Sequence, residues 1–396
     1  MKKRFWLVGL ILLIIGLVMA VVDYIDDKEM EILNPLSGQS RLIKKNNYRV
    51  VAFLPPWMIN KVKKIDKGID DLIFLGVEVE ENGSLKWDFQ SKKIWSDKYL
   101  SMKKNIKKRG GKNILGLKLF DDNKLNNFFG SEKNQNKFLS EVKELVSNGN
   151  FDGVNLDFEY QGNPMAILER EVLSLVKQLR ELDVGEISLD VFCNTVIRGQ
   201  KEDLERLINE LDWLMIMAYD FHRPGTTRTG SVAPLKSDLG KRDIWEVFNK
   251  ISDLKIDKKK TVMIYPLYGY EWKTVGEKMN AVVKGKWWQM ASYGRIKKEL
   301  KQFRDKLYDL RQVDCDGFRP LKEGEAKLCF DELSLTPWLV FKRDGEIRQI
   351  YYDDLNSLEI KVQVVKDLNW GGVAFWALGY EGESGEVWKM VERVLR

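Results

Sequence analysis

The segment Phe151–Glu159 carries three polar side chains, Asn155, Asp157 and Glu159, at alternate positions of an otherwise apolar run. On an extended strand alternate side chains share a face, so these three point one way and Val154, Leu156 and Phe158 the other. Residues two apart have α-carbons ~7 Å apart, close enough for their carboxyl groups to meet. Two carboxylates that near, partly withdrawn from water, resist ionising together, and one keeps its proton near neutral pH. That is what a general acid needs in order to hand a proton to a leaving oxygen. The alternative is a polar strand end capped by water or a metal. A buried row of three polar groups is costly without a use, and the sequence offers no clear further ligands, so neither a metal nor a cofactor is expected.

A strand that presents such a row has to be held by others. Short apolar runs recur at Tyr48–Leu54, Leu72–Val79, Asn113–Phe120, Phe151–Glu159, Glu186–Cys193, Trp213–Tyr219, Thr261–Tyr268 and Gly371–Leu378. Helix-like stretches lie between them, among them Lys137–Val146, Ala166–Leu182, Asp203–Leu211 and Leu358–Leu368, and Gly385–Leu395 follows the last strand. Eight strands with intervening helices predict an α/β fold, the closed parallel (β/α)8 barrel. The nearly continuous apolar character of the strands fits burial on both faces. In such a barrel the acidic row faces the interior near the C-terminal strand ends, where sites are built. One interval breaks the rhythm. Roughly a hundred residues separate strand seven from strand eight, too many for one loop and helix. Residues 273–353 are therefore expected to form a small inserted domain of mixed character, with β-like pieces at Trp338–Phe341 and Arg348–Tyr352.

Composition removes several functions. The 396 residues are 44% hydrophobic, enough for a full core in one large domain or two smaller ones, and the net charge is +6. Lysines and acids are interspersed, so a solvated surface is expected and no nucleic-acid partner. A single histidine excludes a His-rich zinc site. Three cysteines make no disulfide framework; Cys315 and Cys329 can pair if the protein is exported, which leaves Cys193 as a buried thiol. At the N-terminus Lys2, Lys3 and Arg4 precede the uncharged apolar run Phe5–Val22. As a helix this run spans ~27 Å at ~1.5 Å per residue, close to a bilayer core, and its cationic flank places the rest of the chain outside the cytoplasm. Residues 1–22 thus read as a signal-anchor, with a cleaved signal peptide ending near Val18-Met19-Ala20 as the rival. Either reading exports residues 48–396, with 23–47 as a polar linker, and the membrane is a partner if the helix is kept.

The residues themselves resemble a family. Asp152-Gly153-x-Asn155-x-Asp157-x-Glu159 is similar to the Asp-Gly-x-Asp-x-Asp-x-Glu signature of glycoside hydrolase family 18, the chitinases and their relatives. Met217-Ala218-Tyr219-Asp220 with Gly230–Leu235, Pro266-Leu267-Tyr268-Gly269 and Gly371–Trp376 resemble later family segments in the expected order. Tyr268–Trp272 and Phe375–Gly379 look closer to bacterial cell-wall and spore-germination relatives. The likeness spans about residues 48–396 and implies the barrel, often with a small α+β domain where the gap lies. It also implies cleavage of β-1,4 bonds beside N-acetylglucosamine with retained configuration, the substrate's own acetamido oxygen acting as nucleophile. By resemblance Glu159 protonates the glycosidic oxygen, and Asp157 holds the acetamido N–H. Tyr219 bonds the acetyl group, Asp220 contacts the distorted sugar, and Trp376 floors the sugar ring. Asn155, Met217 and Tyr268 belong to the same substrate-binding face, and Asp152 and Gly153 shape the strand. Asn155 stands where the family carries an acid; its amide is expected to donate to Asp157 and to alter the pH profile. Trp57 and Trp272, after strands one and seven, are placed for sugar stacking, while Trp287-Trp288 are expected to pack within the insertion. His222 is expected to make an ordinary polar contact, and Tyr352-Asp353-Asp354 a structural one. The expected partner is a polysaccharide containing N-acetylglucosamine, chitin or peptidoglycan, with the protein a monomer; a carbohydrate-binding relative without catalysis is the non-enzymatic alternative.

Overall fold

A computed structural model describes residues 48–160, 168–238, 242–383 and 385–396. The expected anchor and linker lie outside the described residues, and among the described residues no helix is long and apolar enough to cross a membrane. Eight strands close a barrel: β1 (Arg49–Leu54), β2 (Asp71–Glu78), β3 (Asn113–Phe120), β4 (Gly153–Glu159), β5 (Glu186–Phe192), β6 (Trp213–Met217), β7 (Thr261–Pro266) and β14 (Gly372–Trp376). Every neighbouring pair is parallel, and β14 seals the ring between β7 and β1. The (β/α)8 expectation therefore holds.

Strand alternation sorts the side chains into two apolar layers. Outward residues such as Val154, Leu156, Leu189 and Ile216 are fully buried against the helices. Inward residues, among them Val51, Phe53, Ile73, Met215 and Ile264, fill the barrel itself. The covering helices include α1 (Asp97–Lys108), α2 (Asp122–Phe129), α3 (Glu132–Gly149), α4 (Leu173–Glu181), α5 (Cys193–Arg198), α6 (Lys201–Glu210) and α7 (Ile244–Ser252). On α6, Leu204, Leu207 and Ile208 recur at the three- and four-residue spacing that puts them on one buried stripe, each worth ~1.5–3 kcal/mol when fully buried. Polar caps fix the starts: Ser96, Asp121, Ser131 and Asp243 each accept from a backbone N–H of the first turn.

A second sheet, in the order β10-β11-β12-β13-β8-β9, carries the insertion. It comprises β8 (Tyr268–Thr274), β9 (Val283–Ser292), β10 (Leu307–Asp309), β11 (Ala326–Asp331), β12 (Thr336–Arg343) and β13 (Glu346–Tyr351), with α8 (Tyr293–Phe303) between β9 and β10. Ile296, Phe303, Leu339, Phe341 and Ile350 give it a core of its own. Its first strand begins at Tyr268, before the expected start at 273, and the barrel strand ends at Pro266. The chain turns at Leu267, whose amide donates to the Trp376 carbonyl at 2.7 Å, and β8 then pairs antiparallel with β13. Cys315 and Cys329 are joined in a disulfide within this domain, and Cys193 is a buried free thiol. The chain returns to the barrel through Asp353, buried in an ion pair with Lys361, and Asp354, which caps α9 (Leu355–Asp367); α10 (Glu386–Leu395) is the last helix.

Candidate active site

The acidic row sits where the alternation put it. Gly153 starts β4 hard against β5: a Cβ there would lie 2.2 Å from the Glu186 carbonyl oxygen, so only glycine lets the two strands approach. Asp152 accepts from the Asn113 amide at 2.8 Å and pairs with Lys107, which ties the strand entry to β3. From there Asn155 and Asp157 point into the closed barrel, 0% and 3% exposed, and Glu159 stands half-buried at the mouth.

Burial sets the electrostatics. Loss of water raises the Glu159 carboxyl to about 7; the Asp220 carboxylate adds to this and Arg223 opposes it. Asp157 is also pushed well above the usual carboxylate range, by burial first and then by Asp190 and Glu159, with Lys118 on the opposing side. Lys118 reaches this position from β3, whose register sets it directly beside Asp157. Buried Oδ1 of Asp157 has no hydrogen-bond partner among the described residues, which leaves an acceptor open to a ligand N–H.

Asn155 does not serve Asp157 as expected. Its amide nitrogen donates to Asp190 Oδ1 at 2.8 Å and Ser188 Oγ at 3.1 Å, both on β5. The cause is barrel packing: the register sets Asn155 beside Ser188, so its amide turns across to the neighbouring strand and not along its own. Asp190 is thus a member of the site that the sequence reading missed. Its signal was present, since Glu186, Ser188 and Asp190 alternate with apolar residues along the strand as the polar residues of β4 do.

The other expected residues divide. Tyr219, half-buried just beyond β6, sets its ring edge on Tyr268 at 6.0 Å. Asp220 follows with φ 62°, a left-handed backbone that turns its carboxylate back to accept from Tyr268 at 2.6 Å and Tyr270 at 3.1 Å. Met217 ends β6 on the cleft wall, and Trp376 ends β14 with Phe53 at 6.0 Å and Trp57 at 6.4 Å. Trp57, 43% exposed, donates to the Tyr380 hydroxyl at 3.3 Å. All of these line one cleft of about 270 Å³, together with Lys118, Phe120, Tyr270, Met290 and Tyr380, none of which the sequence had singled out.

Trp272 is the exception: it is 1% exposed and packs against Tyr270 and Tyr351 inside the insertion. Its position after strand seven suggested the cleft, but on β8 the neighbouring inward ring is Tyr270. Trp288 differs in the opposite sense, 46% exposed with its ring edge on Tyr270 at 5.8 Å. His222 makes a polar contact, its Nδ1 lying 2.9 Å from the Ser231 carbonyl. A second hollow of about 280 Å³ adjoins the cleft, sharing Tyr219 and Asp220 and rimmed by Arg198, Arg223 and Arg242. Among the described residues no group of three or more His, Cys, Asp or Glu side chains could hold a metal ion.

A proton-holding carboxyl at the rim, an unpartnered acceptor behind it and aromatic rings around both can bind a ring-shaped polar substrate and break a bond to oxygen. Comparison with known proteins narrows this. The model of "Glycosyl hydrolases family 18" matches residues 49–381. The chain is 23% identical over 364 residues to "Probable chitinase 10" of Drosophila melanogaster, covering 84% of this chain and 15% of that one. It is 24% identical over 362 residues to "Class V chitinase CHIT5" of Lotus japonicus, 83% of this chain and 81% of that one. The chain spans 30% and 36% of the length of two further chitinases that it matches. Among solved structures, a family 18 chitinase of Cycas revoluta in complex with (GlcNAc)3 superposes with a TM-score of 0.70 at 18% identity, over 88% of this chain and 100% of that one.

Proposed function

The chain belongs to glycosyl hydrolase family 18, among its chitinase-like members, and from that premise we propose that it is an exported retaining glycosidase acting on polymers of N-acetylglucosamine. Glu159 gives its proton to the glycosidic oxygen as the bond from that oxygen to the anomeric carbon breaks. The acetamido oxygen of the same sugar closes on the anomeric carbon, forming an oxazolinium ring and keeping any enzyme nucleophile out of the reaction. Asp157 accepts the acetamido N–H and offsets the developing positive charge. Tyr219 holds the acetyl group, Asp220 the distorted sugar, and Trp376 the apolar face of the ring. Glu159, now a carboxylate, takes a proton from the water that opens the oxazolinium, and the original configuration returns. The Glu159 carboxyl, raised to about 7 at the mouth of the cleft, is the observation that carries this reading. The disulfide supports export, as such bonds persist in oxidising compartments.

Peptidoglycan is the second reading of the substrate. Arg198 and Arg223, on the hollow beside the cleft, suit the carboxylates that peptidoglycan carries and chitin lacks. Soluble chitooligosaccharides and purified peptidoglycan offered side by side decide between them. Glu159→Gln should lower turnover of the preferred polymer ~10²–10⁴-fold while leaving binding in place. Equal turnover by this variant would remove the catalytic assignment, and binding without turnover by the parent would make the chain a lectin.

A further inference from the structure

Strand β5 brings into the barrel a carboxyl that the reaction above leaves unused. Asp190 is 4% exposed and lines the same cleft as Asp157 and Glu159. Among the described residues no lysine or arginine pairs with it; its hydrogen-bond donor is the Asn155 amide at 2.8 Å, itself anchored on Ser188. A buried acid kept for structure alone is expected to be neutralised by a cation, because an unpaired one is costly. Asn155, meanwhile, stands at the position of β4 where an acid would complete the alternating row. The acid is instead one hydrogen bond away, on the next strand.

We propose that Asp190 is the proton partner of Asp157, the two carboxyls holding one proton between them while Asn155 clamps Asp190 in place. The inference rests on the assignment of Asp157 to the acetamido group. To accept that N–H, Asp157 has to be ionised, and its proton passes to Asp190; when the product leaves, the proton returns. The pair keeps a single negative charge throughout, so no net charge is added to a closed interior. Asp190 touches no substrate and is a positioning residue. Burial pushes both carboxyls well above their usual range, with Asp190 and Glu159 adding to the rise at Asp157 and Glu159 to that at Asp190, which agrees with a shared proton. The charged and titratable groups that face the pair are Lys118 from β3, Glu159 from β4, and Tyr219 and Asp220 beyond β6; of these Lys118 favours the ionised form of Asp157.

The test is an NMR titration of the full chain labelled with ¹³C at the aspartate carboxyls, with Asp157→Asn used to assign the signals. In the parent the pair should titrate in two steps separated by ~2 pH units or more. In Asp190→Asn the upper step should vanish, leaving Asp157 with a single lower one. Asn155→Asp/Asp190→Asn, which moves the acid back to β4, should restore both steps. In turnover assays kcat should fall about tenfold in Asp190→Asn with KM within about twofold, and recover in the double variant. Should Asp190→Asn fail to fold, Asn155→Ala removes the clamp and should raise the upper step by about one pH unit. An upper step that survives Asp190→Asn, or an unmoved one in Asn155→Ala, overturns the pairing. The titration needs no turnover. A parent that titrates in two steps but cleaves nothing refutes the hydrolase reading and keeps the pair, and one that cleaves while Asp157 titrates alone does the reverse.

Discussion

The barrel carries buried acids at both ends, and the two ends treat them differently. At the N-terminal end Asp71 of β2 and Glu186 of β5 meet Arg49 of β1 and Lys112: Arg49 pairs with Asp71 and lies 3.8 Å from Glu186, and Lys112 reaches Glu186 at 2.5 Å. At the C-terminal end Asp157, Asp190 and Glu159 converge with no ion pair among the described residues. Two cations balance two acids at the bottom, so the charges hold strands together. At the top the imbalance means that protons, not salt bridges, must neutralise the acids. Chemistry that moves a proton belongs at the unbalanced end.

The two ends should fail in opposite ways. The larger stability effect belongs at the bottom. Arg49→Ala strands the buried Asp71, whose carboxyl burial already raises to about 6 against the pull of Arg49. With the Arg49 side chain 22% exposed, the expected cost is ~1–3 kcal/mol. Denaturant unfolding should report that loss while kcat stays within about twofold; a large fall in kcat would tie the bottom to the chemistry.

At the top the sign reverses. The Glu159 carboxyl titrates at about 7 in the folded chain against an ordinary 4.5, so the unfolded chain gives up this proton first. Its contribution is therefore fully present below pH 4.5 and is lost as pH rises through about 7. Glu159→Gln, which cannot ionise, should match the parent below pH 4.5 and exceed its stability by ~1–2 kcal/mol above pH 7. Thermal unfolding of both across that range checks it, and a variant less stable than the parent at high pH would break the comparison.

Much of this was legible in the sequence, for reasons particular residues make plain. Alternation alone put Asn155, Asp157 and Glu159 on the inner face of one strand, and eight apolar runs of the right length implied the barrel that turns that face inward. Alternation fixes a face but not a neighbour across it, so the partner of Asn155 was misassigned and Asp190 went unnoticed. The expected end of strand seven at Tyr268 overshoots Pro266 because Leu267 and Tyr268 continue the apolar run of β7. Pairing with β9 and with β13, the latter some eighty residues on, makes Tyr268–Thr274 a strand of another sheet. Trp272 was lost for the same reason.

Glu159 has to hold a proton near neutral pH, and the pH dependence of kcat/KM on a soluble chitooligosaccharide measures that directly. That ratio should fall as pH rises through about 7, when Glu159 loses the proton it must donate. A rate that holds unchanged from pH 6 to pH 9, or one already declining through the ordinary carboxylate range, would contradict it.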